Sequence, residues 1–276
     1  MTGLRHATSF RGASFGIAAC VLSIAAGFCW PGCAFAQVES ASGADAAPSN
    51  SPTAGFRTSR FEIRDEYLDL QGGATVFMIV PRLDVLASPD LSFRIETPMV
   101  STHAGAPNND TESGLGDILL RGSYRVARGA GYAIVAGGEL ILNTATSEDL
   151  GTGKNVIAPL IFASINLPQY NSVVFPFLEY YFTLGGDASR QDVNYASIKS
   201  AFLTYWPNLV YTIVEPQVIV DHERANKVGL TLDGEIGRFL DRDTAIWVRT
   251  GFGLVGEDLP QVYDWKFEVG VRFFFK

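Results

Sequence analysis

The sequence predicts an all-β transmembrane fold: an antiparallel up-and-down β-barrel of about 12 strands, with both termini on the periplasmic side. Apolar and polar residues alternate with period 2, most clearly over 263–275, where Tyr, Trp, Phe and Val share one face. The alternating segments are about ten to thirteen residues long, which suits a tilted membrane crossing better than an ordinary globular strand. Short turns alternate with longer polar loops, and aromatic residues collect near the strand ends, as in outer-membrane barrels.

The composition excludes several other classes. The length of 276 residues suits one large all-β unit or two ordinary domains. A hydrophobic content of 47%, a charged content of 18% and a mean hydropathy of +0.14 exclude a globally disordered chain. The net charge of −8 argues against a nucleic-acid partner, because neutralising phosphates requires a basic face. The apolar residues therefore belong to a large core or to a membrane-facing surface.

Residues 1–36 are predicted to be a secretory signal peptide. Arg5 and Arg11 precede an apolar stretch over 15–28, and Ala34-Phe35-Ala36 has the pattern of a cleavage site. The alternative is an uncleaved anchor, but the apolar stretch is shorter than the roughly 20 residues of a spanning helix. Cleavage would remove two arginines and all three cysteines, leaving a net charge of −10. A disulfide scaffold, a thiolate metal site and a catalytic cysteine are then excluded together.

The mature chain divides into an arm and a barrel. Residues 37–58 are rich in Ala, Ser, Gly and Pro, which predicts a flexible linker or a disordered N-terminal arm. A helical plug is the alternative, although the segment has no amphipathic spacing. The barrel is predicted over 59–276. Its expected strands are, in order, 60–70, 74–86, 91–100, 115–126, 132–143, 156–167, 172–183, 195–206, 209–221, 228–240, 244–254 and 263–275.

Prolines within these strands conflict with a fully paired wall. Pro81 and Pro216 fall in mid-strand, and a closed barrel has no free edge to accommodate a residue without an N–H donor. Local bulges are one explanation. The other hypothesis is that Pro81 or Pro216 opens the wall into a lateral portal for an apolar solute.

The alternation also places charged residues inside the barrel. As candidate lumen or solute-binding residues we select Arg94, Glu96, Arg121, Glu139, Arg249, Glu268 and Arg272. The wider inward set also includes Arg82, Asp84, Asp117, Arg125, Glu179, Lys199, Glu215, Asp233, Glu235 and Lys266. Charges of both signs in a narrow bore must be paired or hydrated. A connected network of pairs would close the lumen, whereas a hydrated lane would form a small channel, in which rows of arginine favour anions such as aromatic carboxylates. The mixed charge slightly favours the network.

No constellation of residues predicts catalysis, a metal site or a cofactor. His103 and His222 are the histidines outside the signal peptide, and both fall in predicted loops or rims. Neither has an orienting acid placed convincingly beside it, and two distant histidines do not make a zinc site. The segment 150–154 has glycines and a lysine but lacks the spacing of a phosphate-binding loop, so we interpret it as a turn.

Several segments resemble a family of bacterial outer-membrane proteins named for the meta-cleavage pathway of phenol degradation. The similarity is carried by Ser113-Gly114-Leu115-Gly116-Asp117, by 142–146 with 150–154, and by the closing VGVRFFFK. The resemblance extends loosely over 60–276 and implies an outer-membrane transporter for hydrophobic or aromatic compounds, with no catalytic residues. The chain departs from the usual barrel ending, because Lys276 follows the terminal aromatic Phe275 that the barrel-assembly machinery commonly recognises.

The predicted function is passage of a small, hydrophobic or aromatic solute across the bacterial outer membrane by a monomeric, non-enzymatic barrel. The expected partners are outer-membrane lipid, the solute and the barrel-assembly machinery, with no nucleic acid and no cofactor. Two alternatives stay open: a rim hydrolase using His222 or His103 on lipid or peptide, and a closed structural barrel.

Overall fold

The computed structural model describes residues 59–105 and 110–275. The predicted signal peptide (1–36), the predicted arm (37–58) and Lys276 lie outside the described residues. In the described part of the chain, no helix is both long enough and apolar enough to cross a membrane.

The described residues form fourteen antiparallel strands joined by turns and loops. The strands are β1 (Ser59–Asp69), β2 (Thr75–Ser88), β3 (Leu91–Glu96), β4 (Met99–His103), β5 (Thr111–Leu115), β6 (Ile118–Gly129), β7 (Tyr132–Leu142), β8 (Lys154–Leu167), β9 (Ser172–Gly186), β10 (Asn194–Tyr205), β11 (Val210–Asp221), β12 (Lys227–Phe239), β13 (Thr244–Val255) and β14 (Trp265–Phe275). Two short 3-10 turns, Gln71–Gly73 and Pro168–Tyr170, lie between strands.

These strands make twelve crossings of a closed barrel. β3 and β4 pair with β2 in one continuous register and form a single crossing, interrupted at 97–98. β5 and β6 form the next crossing, and a one-residue shift of register at 116–117 separates them. The sheet closes because β1 pairs antiparallel with both β2 and β14. The predicted twelve-stranded up-and-down barrel is confirmed.

The predicted strand boundaries agree with the structure to within four residues. The largest difference lies at the third hairpin, where β4 and β5 extend into the segment 101–113 that the sequence predicts as a loop. Polar Ser, Thr and His residues there pair as strands beyond the apolar zone, so hydropathy alone ends the strands too early. Ser59 pairs with Phe275, so the two ends of the barrel strands share one rim with the short turns. The periplasmic placement of that rim stays a prediction.

The outer surface of the barrel is apolar. In β14 the outward residues Phe267, Val269 and Phe273 expose more than 40% of their surface, whereas their neighbours Glu268 and Arg272 expose less than 10%. In a water-soluble barrel the charged residues would face outward and the apolar residues would be buried, so this surface suits lipid. Asp65 is an exception, because it is exposed on the outer face of β1 and nothing in the structure explains it.

The two mid-strand prolines do not open the wall. Pro81 pairs in register with β1, and on its other side its carbonyl accepts a 3.2 Å hydrogen bond from the N–H of Thr97. Pro216 pairs in register with β12, while the β10–β11 pairing skips it between Gln217 and Val214 and resumes in the same register. Each proline therefore interrupts one of its two ladders locally. The lateral-portal hypothesis gains no support from this geometry.

Near the short turns, an apolar cluster fills the β9–β14 side of the interior. Its buried members are Val173, Leu203, Tyr211, Phe239, Ala245, Trp247 and Phe274. Two inward glycines allow the large rings to lie flat on the wall: a Cβ on Gly237 would lie 2.2 Å from the Tyr211 ring, and one on Gly270 would lie 2.7 Å from the Trp247 ring. This side of the bore is therefore packed rather than open.

Candidate functional site

The deepest charged group in the barrel centres on Arg272 of β14. Its guanidinium donates to Glu62 of β1 and, at 2.7 Å and 3.2 Å, to both carboxylate oxygens of Glu235 of β12. It also donates to the hydroxyl of Tyr211 at 2.7 Å and stacks over Trp247, 4.5 Å from the ring centroid. Glu62 and Glu235 are 1% and 3% exposed, so this group is cut off from bulk water.

A second group surrounds Arg249 of β13. It forms ion pairs of 2.6 Å with Asp233 and 2.7 Å with Glu215, and its Nε lies 3.9 Å from Glu268. Lys266 joins Asp233 and Glu268 at 2.7 Å and 2.9 Å. Every charge of this group except Glu215 thus contacts at least two of opposite sign, as the predicted network requires.

The third group lies on the other side of the bore, at Arg121 of β6. Its guanidinium donates to Glu139 of β7 at 2.5 Å and to Glu179 of β9 at 3.1 Å. Lys199 pairs with Glu179 from the opposite side, at 3.1 Å. Both cations lie over the ring of Phe177, at 5.3 Å and 4.8 Å from its centroid.

The fourth group places three arginines around one carboxylate. Asp84 of β2 accepts from the Nε atoms of three arginines: Arg60 at 2.7 Å, Arg82 at 2.9 Å and Arg94 at 2.7 Å. Arg94 also lies directly opposite Arg121 in the β3–β6 register. Like charges placed directly opposite each other destabilise a sheet unless something between them compensates.

A cavity of about 970 Å³ lies between the third and fourth groups, and we call it the vestibule. It begins at the rim with the short turns, where Pro89 and Gly131 line it, and reaches Arg121 and Phe177. One wall is cationic and is formed by Arg60, Arg94, Arg121, Arg125 and Arg128. The neighbouring strands β8 and β9 supply a phenyl wall of Phe162, Phe175 and Phe177. Phe162 and Phe177 stack nearly parallel, with their centroids 5.0 Å apart.

At the rim that carries the longer loops, Asp117 holds the loop 143–153 across part of the opening, and we call this group the clasp. One carboxylate oxygen accepts from the N–H groups of Thr144 and Ala145, both at 3.2 Å. The other accepts from the N–H and the hydroxyl of Thr152, at 2.7 Å and 2.9 Å. Leu150 of the same loop is 5% exposed. The sequence places Asp117 in the lumen set; both of its carboxylate oxygens hold this loop at the rim, and a role in the lumen stays a prediction.

A second loop folds inward between β13 and β14. Leu259 and Val262 pack on Ile219 as a small buried cluster, and the hydroxyl of Tyr263 donates to Asp233. On the solvent side of this loop, a hydrogen bond from Lys227 and its positive charge lower the pKa of Asp258 below its ordinary value.

The structure turns all seven selected lumen residues toward the interior. Arg94, Glu96, Arg121 and Glu139 lie on the vestibule side, and Arg249, Glu268 and Arg272 lie on the packed side. Sequence reasoning missed the inward residues of β1, Arg60, Glu62, Arg64 and Glu66, although they alternate in the same manner. It also missed the phenyl wall, because an inward Phe cannot be distinguished from a lipid-facing Phe by residue type.

Neither histidine gains a catalytic environment. His103 lies 3.0 Å from the hydroxyl of Thr111, and His222 lies 2.6 Å from the amide oxygen of Asn226. No hydrogen bond or ion pair among residues 59–105 and 110–275 joins either ring to an aspartate, a glutamate or a serine. Over the same residues, no group of three or more His, Cys, Asp or Glu side chains could hold a metal ion.

Comparison with known proteins finds similar structures but no similar sequence. No family model matches the sequence, and none of the curated proteins is significantly similar to it. The COG4313 outer membrane channel from Pseudomonas putida F1 superposes with a TM-score of 0.60 at 13% identity, over 79% of this chain and 95% of that one. The NanC porin superposes with a TM-score of 0.56 at 9% identity, over 77% of this chain and 98% of that one. The KdgM porin superposes with a TM-score of 0.54 at 11% identity, over 79% of this chain and 99% of that one. The fold is that of an outer-membrane β-barrel.

This likeness supports the predicted location. A closed barrel with an apolar outer face and the fold of outer-membrane channels belongs in the bacterial outer membrane. At these identities the comparison shows the fold alone. The resemblance to the phenol meta-pathway family therefore stays an expectation.

Proposed function

We propose that the barrel passes a small hydrophobic or aromatic solute across the outer membrane. The vestibule carries this proposal. Its volume of about 970 Å³ lies at the upper end of the range that ligand pockets occupy, roughly 300–1,000 Å³. Three phenyl rings line it beside the charged residues. A closed barrel without a transport role would have no need to keep such a chamber free of side chains.

The fold neighbours agree with a transport role. They are porins and an outer membrane channel, and one KdgM structure, 12% identical with a TM-score of 0.54, is described as a complex with disordered oligogalacturonate. That ligand is a property of KdgM. Passage of a solute is the part of the comparison that we extend to this chain.

A closed structural barrel is the second candidate, and a specific observation favours it. The ion-pair groups of Arg272 and Arg249 and the apolar cluster beneath them fill the β9–β14 side of the bore. Solute must therefore pass on the vestibule side. We expect a small conductance, because twelve strands leave limited room and half of the bore is packed.

The test is a single-channel recording combined with modification of one thiol. The mature barrel would contain no cysteine, so Ser164→Cys places a unique thiol on the vestibule lining of β8. Its neighbour Ala163 faces outward on the same strand, which makes Ala163→Cys the matched control. The purified, folded variants are inserted into a planar bilayer and treated with a bulky water-soluble methanethiosulfonate.

We expect the unmodified barrels to give discrete current steps, and the reagent to reduce the current of S164C while leaving that of A163C unchanged. Modification follows folding, so a lost current reports obstruction rather than misfolding. If no current steps appear in any variant, the closed barrel is correct. If both variants lose current equally, the vestibule is not the path.

The other expectations stay proposals. We infer that the barrel is a monomer, that it is inserted by the barrel-assembly machinery and that lipid covers its outer face. We infer no enzymatic activity and no cofactor. The rim hydrolase has no supporting geometry at His103 or His222.

A further inference from the structure

The geometry points to a carboxylate-binding site in the vestibule, formed by Arg60 and Arg94, for a monoanionic solute whose apolar body packs on the phenyl wall. This inference rests on the proposed function, because it names the class of solute that the channel takes. It assigns the arginines and the phenyl rings separate roles.

Asp84 orients the two arginines without using up their hydrogen-bonding capacity. Both donate to Asp84 through Nε, from opposite sides of the carboxylate, at 2.7 Å. Among the described residues, no hydrogen bond is formed by the terminal nitrogens of either Arg60 or Arg94, although Nη1 of Arg94 lies 3.7 Å from the carboxylate of Glu96. The side chains are 13% and 17% exposed, and both line the vestibule. Two guanidinium groups held in place with free donors make a fork that suits a carboxylate.

The charge arrangement leaves a place for an anion. The vestibule lining contains five arginines but only two carboxylates, those of Asp84 and Glu215. Arg94 stands directly opposite Arg121 across the β3–β6 ladder. Arg128, farther out along β6, also lines the vestibule. A bound carboxylate would offset this excess of positive charge in a partly buried site, where electrostatic interactions are stronger than in water.

The phenyl wall determines what the rest of the solute must be. Phe162 and Phe177 present a stacked pair of rings on β8 and β9, which β7 separates from the arginines of β6, and Phe175 extends the apolar surface toward the rim. A small inorganic anion would leave these rings unused. A neutral aromatic compound would leave the arginine donors unused. Benzoate, with one carboxylate and one ring, contains both parts and is the probe that we choose.

The structure offers a matched control for the arginines. Arg82 donates to the same oxygen of Asp84 as Arg60, at 2.9 Å, but it does not line the vestibule. Each single substitution leaves Asp84 with two arginine partners, so the carboxylate stays paired and the barrel is expected to fold. The variants are R60Q, R94Q and R82Q.

Binding is measured by titration calorimetry on the folded, detergent-solubilised barrel, independently of any current. We expect benzoate to bind to the unmodified barrel. R60Q and R94Q should each weaken benzoate binding about tenfold or more, because each loses a charge-assisted hydrogen bond to the benzoate carboxylate. R82Q should change benzoate binding less than threefold, because Arg82 does not contact the vestibule. Benzyl alcohol and inorganic phosphate are expected to bind at least tenfold more weakly than benzoate.

Several outcomes would overturn the site. If benzyl alcohol binds as tightly as benzoate, the site does not require a carboxylate. If phosphate binds as tightly as benzoate, the phenyl wall does not contribute to binding. Loss of binding in R82Q as large as in R94Q would reduce the effect to general disturbance of the network. Conductance without benzoate binding rejects this site while keeping the channel, and binding without conductance supports the site while rejecting the channel.

Discussion

At the residue scale, buried arginines dominate the interior. Several hold two or more carboxylates from different strands, as Arg272 does with Glu62 and Glu235. Such a group contributes little net free energy compared with an apolar packing of the same volume, but removing one partner is costly because it strands a buried charge. The arginines therefore fix which strands lie together more than they add stability.

We predict that Arg272→Met lowers the free energy of unfolding by about 3–5 kcal/mol, because two nearly inaccessible carboxylates lose the arginine that donates hydrogen bonds to them. The measurement is guanidinium unfolding of the barrel in phospholipid vesicles. The triple variant R272M/E62Q/E235Q removes the stranded charges and is expected to recover most of the loss. An equal loss in the single and triple variants would show that the charges are not what matters.

At the scale of elements, the irregular segments are attached to the barrel by specific contacts. The break between β5 and β6 exists because one extra residue shifts the register there, and this shift turns Asp117 toward the loop 143–153. Three of the segments that carry the family resemblance, 113–117, 142–146 and 150–154, meet in this clasp, whereas the closing segment does not. Their pattern therefore reflects the folding of a loop onto the rim rather than solute chemistry.

We predict that Asp117→Ala speeds amide hydrogen exchange of the loop 143–153 by about ten- to a hundredfold, because the amides of Thr144, Ala145 and Thr152 lose a charged acceptor. Exchange is followed by mass spectrometry on the barrel in micelles. Asp149 is exposed in the same loop, and among the described residues its carboxylate forms no hydrogen bond, so Asp149→Ala is the control. Unchanged protection in D117A would contradict the clasp.

At the scale of the whole molecule, the membrane is the solvent that makes this distribution of residues stable. Apolar side chains cover the outside, and charges other than Asp65 lie inside or at the rims. A hydrophobic content of 47% would suggest a large core in a soluble protein, but here much of that surface contacts lipid. The cost of a misplaced charge should then depend on its depth in the bilayer.

We predict that Val248→Arg, in the middle of β13, costs about 2–4 kcal/mol of folding free energy, whereas Leu254→Arg, near the loop rim of the same strand, costs about 0–1 kcal/mol. Both side chains face outward and are 41% and 54% exposed, so they differ mainly in depth. The measurement is reversible unfolding from vesicles. Equal costs at the two positions would mean that this face does not contact the hydrocarbon core.

By itself, the sequence determined the class of fold, the number of crossings and the face on which nearly every strand residue lies. Period-2 alternation is a local property: once a segment is extended, its neighbours point to opposite sides whatever the rest of the chain does. The seven selected lumen residues were found in this way. The one-residue shift between β5 and β6 is not visible in the alternation, because it appears only in the register between two strands.

The tertiary structure alone decided which residues meet across the bore. Arg272 and Glu62 are 210 positions apart in the chain and become neighbours only because β1 and β14 close the barrel. The division into a packed side and a vestibule likewise depends on ring closure, on inward-folding loops and on rings lying over glycines. Alternation assigns a face to each residue, but contact requires strand order, register and curvature, and these are properties of the whole sheet.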